Sequence, residues 1–160
     1  MQTIEQTAII NAPLATVMAA VKNIEGIPGW ATVKGTVRLE PNSPDHFHWR
    51  FEVGRLKFAG QLRIIEQTGN RLITRTTGDV DSMWTIDVTA IGLSSTAIRV
   101  VVEYTLPHSL VEPLVDQVVQ QLASPQAAQE NMRRFKATVE GRIKTLAERA
   151  TLAVTKPGNV

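Results

Sequence analysis

An α+β fold, a curved seven-stranded antiparallel sheet gripping one long helix, follows from three features of the sequence. Between residues 32 and 106, apolar and polar residues alternate with period two through consecutive short segments. The joints between these segments are only a few residues long, which makes an antiparallel meander, because parallel strands need a crossover of about a dozen residues or more. The region Ser109 to Ala150 has helical period instead, and from Pro125 onward Ala128, Met132, Phe135, Val139, Ile143 and Leu146 fall on one face. If every charged strand residue is placed on one side of the sheet, the other side is apolar and needs a cover. Only the long helix can supply it.

Composition agrees with one globular domain. The chain has 160 residues, of which 43% are hydrophobic and 20% charged, enough for a real core. We expect a domain over residues 1–150 and a loose tail over 151–160, where TLAVTKPGNV loses periodicity and reaches Pro157-Gly158. The chain contains no cysteine, which excludes disulfides and thiolate metal sites and fits a cytoplasmic setting. MQTIEQTAII has neither the basic start nor the apolar core of a signal peptide, and no apolar run approaches the length of a membrane span. A net charge of +2 does not by itself imply a polyanionic partner.

Taken in order, Thr3 to Asn11 is a strand with Ile4, Ala8 and Ile10 on one face. Asn11-Ala12-Pro13 predicts a helix start, with Asn as cap and Pro in the first turn. Leu14, Val17, Met18 and Val21 form that helix's apolar side. IEGIPGW (24–30) allows at most one short helical turn before Pro28-Gly29. Thr32 to Glu40 then alternates, PNSPD is expected as a loop, and His46 to Val53 alternates with Phe47, Trp49, Phe51 and Val53 on one face. Gly54-Arg55 turns into a strand with Leu56, Phe58, Leu62 and Ile64 on one side, and Thr68-Gly69-Asn70 turns again. Arg71 to Thr77, Ser82 to Ile91 and Thr96 to Leu106 complete the sheet. With the charged residues outside, the inner face gathers Ile4, Ala8, Val33, Val37, Trp49, Phe51, Phe58, Leu62, Leu72, Thr74, Thr76, Trp84, Ile86, Val88, Ile98, Val100, Val102 and Tyr104. The outer side of the long helix offers Glu130–Arg134 and Glu140–Lys144 at the favourable i, i+4 spacing.

The order strand, helix, short helix, six strands, long helix resembles the START-like (SRPBCC) superfamily, which includes polyketide cyclase/dehydrase and lipid-transport proteins. Local details agree: Ile10-Asn11-Ala12-Pro13 enters the first helix, and Val21-Lys22-Asn23-Ile24-Glu25 with Pro28-Gly29-Trp30 leads into the second strand. Asn131-Met132, Phe135-Lys136 and Val139-Glu140 resemble the superfamily's last helix. The resemblance spans residues 3–149. It implies a helix-grip fold with a cavity between sheet and C-terminal helix that takes an apolar or amphipathic small molecule. Fold alone does not choose between carrier, receptor and enzyme.

Acid–base chemistry needs a titratable group that reaches the substrate. The predicted inner face has no charged residue, and its polar members are Gln6, Thr74, Thr76, Ser82 and Tyr104. We therefore expect no catalytic residue, no metal and no cofactor. The expected function is binding or carriage of a lipid, isoprenoid quinone or polyketide-like molecule by Trp30, Trp49, Phe51, Phe58, Trp84, Val100, Tyr104, Met132, Phe135 and Val139. The first alternative is a cyclase/dehydrase-type enzyme in which Tyr104 or His108 assists proton transfer. The second is a toxin-like or other protein/RNA interaction module using the basic helix face from Arg133 to Arg149. Acidic residues interrupt that face and no aromatics interleave with it, so we expect no nucleic acid and no stable membrane insertion. His46 and His48 sit i, i+2 on an outward face without a third ligand, which makes a poor metal site. Asp79 and Asp81 read as turn formers. Leu110 to Leu122, started by the Ser109/Glu112 capping pattern, is either a flap over the cavity or the first half of a helix bent at Pro125.

Overall fold

The computed structural model describes residues 1–31, 36–53, 55–105 and 124–155, with the side chains of 36, 53 and 143–155 excepted. The seven strands are β1 (Gln2–Ile10), β2 (Thr36–Ser43), β3 (His46–Val53), β4 (Leu56–Gln67), β5 (Arg71–Gly78), β6 (Asp81–Ala90) and β7 (Thr96–Thr105). They form one antiparallel sheet in the order β1-β7-β6-β5-β4-β3-β2. Helix α1 (Leu14–Lys22) and a 3-10 helix (Ile24–Gly29) connect β1 to β2, and α2 (Pro125–Thr155) closes the chain. This is the expected architecture. Expectations for Val33, for His108 and for the 110–122 segment lie outside the described residues.

The ladders confirm the predicted faces, because side chains that share a row point the same way. Ile4, Val102, Trp84 and Thr74 share one inner row, and Gln6, Val100, Ile86 and Leu72 the next. Ile10, Val17, Met18, Phe47, Leu62, Leu72, Val88, Ile98, Phe135 and Val139 form the buried core, which places one end of the sheet under α1 and α2. Thr96 locks that end, donating its hydroxyl to the Ala12 carbonyl at 2.7 Å while fully buried.

Four local expectations are corrected. Asn11 does not cap α1: the helix begins at Leu14, and Pro13 in the cap position makes no side-chain bond. The Asn11 N–H instead donates to Glu140 Oε1 at 2.9 Å, so this corner is held by α2. PNSPD is not all loop, since β2 runs to Ser43 through Pro41. β2 is an edge strand with a bulge between Pro41 and Ser43, and an edge tolerates a residue that cannot donate. The 3-10 helix passes through Pro28 and ends at Gly29, longer than the single turn expected. Finally, α2 is 31 residues long, roughly 46 Å, and continues to Thr155. TLAVT contains no breaker, so the helix extends into the segment expected as tail until shortly before Pro157.

Candidate functional site

The strongest candidate is the inner face of the sheet with the helix that lies over its β1 side. α2 runs beside β1 and touches α1. Two polar side chains fix it there. Lys136 Nζ donates to the Ile9 carbonyl at 2.7 Å, and Glu140, 3.3 Å from Lys136, accepts from Asn11 N–H. Lys136 pairs with Glu140 across one turn, and the expected Glu140–Lys144 pair lies outside the described side chains. Glu130 meets Arg133 at 2.6 Å and Arg134 at 3.6 Å. These pairs hold Glu130 below the ordinary carboxylate range, through the Arg133 hydrogen bond first. They occupy the outer side of α2 and leave Met132, Phe135 and Val139 facing inward.

The ten residues predicted to line a ligand site divide into three groups. Trp30, Trp49, Val100, Met132, Phe135 and Val139 belong to one continuous apolar cluster. Within it Trp30 meets Phe135 edge-on, with ring centroids 5.5 Å apart, tying the 3-10 helix to α2. Phe51 and Phe58 are buried outside that cluster and stack on each other at 6.1 Å across β3 and β4. Trp84 and Tyr104 stand on β6 and β7, Trp84 half-buried and Tyr104 buried.

The polar groups of this face largely satisfy one another. Trp84 Nε1–H donates to Ser82 Oγ at 3.1 Å, Ser82 and Thr76 share a short hydroxyl contact, and Thr76 Oγ1 lies 3.4 Å from the Val80 carbonyl. Tyr104 O–H donates to Gln2 Oε1 at 3.0 Å. Burial raises the Tyr104 phenol above its usual range, so it stays protonated near neutral pH and serves as a donor rather than a base. Among the described residues on the inner rows, Tyr104 is the one titratable side chain.

Sequence reasoning missed two supports of this wall, Gly60 and Gln2, and foresaw a third, Asp79. Gly60 lets Trp49 lie flat, since a Cβ there would come within 2.8 Å of the indole and 2.0 Å of the Thr77 carbonyl. An isolated glycine inside the alternation of β4 was the available signal. Gln2, at the start of β1, holds the Tyr104 hydroxyl. Asp79 closes the β5–β6 turn on β4: its carboxylate accepts from Ala59 N–H at 2.8 Å and its own N–H donates to the Ala59 carbonyl at 3.1 Å. That is the turn role expected of it. His46 and His48 lie outward with rings 5.8 Å apart, and His46 Nε2 meets Gln61 Oε1 at 2.7 Å. The described residues include no cluster of three or more His, Cys, Asp or Glu.

An opening of about 400 Å³ lies between β1 and the start of α2. Gln6, Gln126, Gln129, Glu130, Arg133 and Lys136 rim it, with Ala8 and Met132 as its apolar floor. Its rim carries charged and amide side chains, and Met132 belongs to both the opening and the core wall.

Comparison with known proteins agrees with this architecture. A family described as polyketide cyclase/dehydrase and lipid transport matches residues 1–140. No curated protein matches the chain in sequence. Among solved structures, a protein of Deinococcus radiodurans is similar with TM-score 0.68 and 16% identity over 88% of this chain and 99% of its own. A START superfamily protein from Mycobacterium smegmatis aligns with TM-score 0.61 and 17% identity, over 90% of this chain and 98% of its own. An aromatase/cyclase from Streptomyces aligns with TM-score 0.65 and 11% identity, over 89% and 95%. At such identities these likenesses concern the fold. No helix among the described residues is long and apolar enough to cross a membrane.

Proposed function

Since the chain belongs to the polyketide cyclase/dehydrase and lipid transport family, we propose that it binds and carries a hydrophobic small molecule between the inner face of the sheet and α2. Lipids, isoprenoid quinones and polyketide-like molecules are the classes that suit such a wall. One observation supports carriage over chemistry. The inner rows offer aromatic and aliphatic surface together with hydroxyls already engaged with one another, and the one titratable side chain on them among the described residues is a phenol kept neutral by burial. Such a face gains from apolar contact and orients a ligand through a few neutral donors.

The experiment is native mass spectrometry of the protein as purified, followed by organic extraction. The carrier reading expects a bound hydrophobic mass at one per chain, released chemically unchanged. Only ligand-free protein, together with no uptake of fatty acids or quinones added in solution, would contradict it. The cyclase/dehydrase reading rests on Tyr104, a neutral acid 3.0 Å from Gln2. Turnover of a linear poly-β-ketone that is lost in Tyr104→Phe would favour it instead.

A further inference from the structure

The outward face of the sheet is electrostatically split. On the β5–β6–β7–β1 side charges alternate between strands: Arg71 meets Asp87 at 2.6 Å, and Arg99 meets Glu5 at 2.6 Å. On the β2–β5 side the pattern fails. Arg38 is the direct cross-strand partner of Arg50, and Arg63 of Arg75. Like charges placed opposite each other on neighbouring strands destabilise a sheet. All four are exposed, and none makes an ion pair or side-chain hydrogen bond among the described residues. His46 and His48 lie between the two pairs on β3. The nearby acids, Glu40 opposite His48, Glu52 two residues beyond Arg50 and Asp45 beside His46, form no ion pair with these four arginines among the described residues.

Apolar side chains flank the same patch. Ile65, thrown outward by the β4 bulge next to Arg63, is 56% exposed. Met83, the cross-strand partner of Arg75, is 37% exposed. Unpaired guanidinium groups bordered by exposed aliphatic side chains match a surface that is anionic at its headgroups and apolar just beneath. Nucleic acid fits less well, because Phe47, Trp49, Phe51, Phe58 and Trp84 all belong to the inner rows, which leaves this face, among the described residues, only the imidazoles of His46 and His48 and no large aromatic face for bases.

From this asymmetry we infer that the outer face of β2–β5 is a docking surface for an anionic lipid bilayer, held by Arg38, Arg50, Arg63 and Arg75 with Ile65 and Met83 at its margin. Docking is peripheral and reversible, and it does not depend on what the inner face holds. The arginines meet lipid phosphates as charge-assisted donors, which offsets the repulsion they impose on the free protein.

The test is co-sedimentation with vesicles of phosphatidylcholine, with and without phosphatidylglycerol. Three proteins are compared: the native chain, the double variant Arg50→Gln/Arg75→Gln, and Arg71→Gln/Arg99→Gln, which removes equal charge from the paired side. The native chain and the Arg71/Arg99 variant are expected to bind only the phosphatidylglycerol vesicles. The Arg50/Arg75 variant should bind them about thirtyfold more weakly, as expected for two arginines leaving an anionic surface. Thermal melting of the Arg50/Arg75 variant, in which a repulsive contact is relieved, should show no loss of stability. Equal binding by both variants, or no vesicle binding by the native chain, overturns the inference. Binding of a single-stranded oligonucleotide in place of vesicles, lost in the Arg50/Arg75 variant, overturns it too and assigns the patch to nucleic acid.

Discussion

Phe135→Ala is the sharpest perturbation of the contact between α2 and the rest of the core. Phe135 is 6% exposed, in the cluster that joins α2 to the sheet, and its ring meets Trp30 at 5.5 Å with an interplanar angle of 77°. Truncating a buried phenylalanine costs about 3–5 kcal/mol. The edge-to-face pair should add a coupling of about 0.5–1.5 kcal/mol between the two positions. Domains of this size have net stabilities of roughly 5–15 kcal/mol, so Phe135→Ala could remove a large share of it. Phe135→Leu gives a milder companion, which breaks the ring pair while keeping most of the volume. Urea unfolding followed by far-ultraviolet circular dichroism gives the free energies, and a double-mutant cycle with Trp30→Ala gives the coupling. A Phe135→Ala loss below about 1 kcal/mol would mean that the ring is not packed as described and that α2 does not close the core. Coupling indistinguishable from zero would refute the ring pair alone.

Three further outcomes follow from particular contacts. Gly60→Ala puts a Cβ 2.0 Å from the Thr77 carbonyl and 2.7 Å from the Trp49 ring; it should cost about 1–3 kcal/mol or more and shift tryptophan emission, whereas an unchanged melting temperature would contradict that packing. Glu5 is held below its usual pKa, first by its hydrogen bond to Arg99, so its contribution is present at neutral pH and is lost as pH falls through the lowered folded value. The melting-temperature gap between the native chain and Glu5→Gln should therefore shrink on acidification below the ordinary carboxylate range, and a gap that widens there would be inconsistent with the pair. Tyr104 is the only tyrosine in the chain, so alkaline absorbance titration reports it alone. Its midpoint should lie above the free phenol, and a lowered one would contradict its burial.

The sheet was legible because its signal is local and repeated. Phe47, Trp49 and Phe51 alternate with His46, His48 and Arg50 without a break, and short joints leave only an antiparallel meander. The apolar stripe of α2 was legible for the same reason, and Met132, Phe135 and Val139 face the core as their spacing requires. What escaped depends on partners far away in the chain. Asn11 looks like a helix cap, but its N–H is taken by Glu140. Lys136 looks like a solvated cation, but it closes the β1 edge by donating to the Ile9 carbonyl. Pro41 looks like a loop residue until β2 is known to be an edge strand. The candidate site was half legible in the same sense. Alternation identifies inward residues, but it cannot say that Trp30 and Phe135 meet while Phe51 and Phe58 pair apart from them.

The most direct measurement of the central claim is the stoichiometric titration of an apolar fluorescent probe into the native chain and into Trp84→Arg. Trp84 is half-buried on the inner row between Thr74 and Val102, with its N–H on Ser82. An arginine in its place sets a charge against apolar surface with no partner, which is costly for the probe and, to a lesser extent, for the fold. Circular dichroism and melting of both proteins establish that each is folded. Saturable binding of one probe per native chain is expected, and its loss in the folded Trp84→Arg variant. Undiminished binding in that variant, or no saturable binding by the native chain, would contradict a hydrophobic ligand site on the inner face of the sheet.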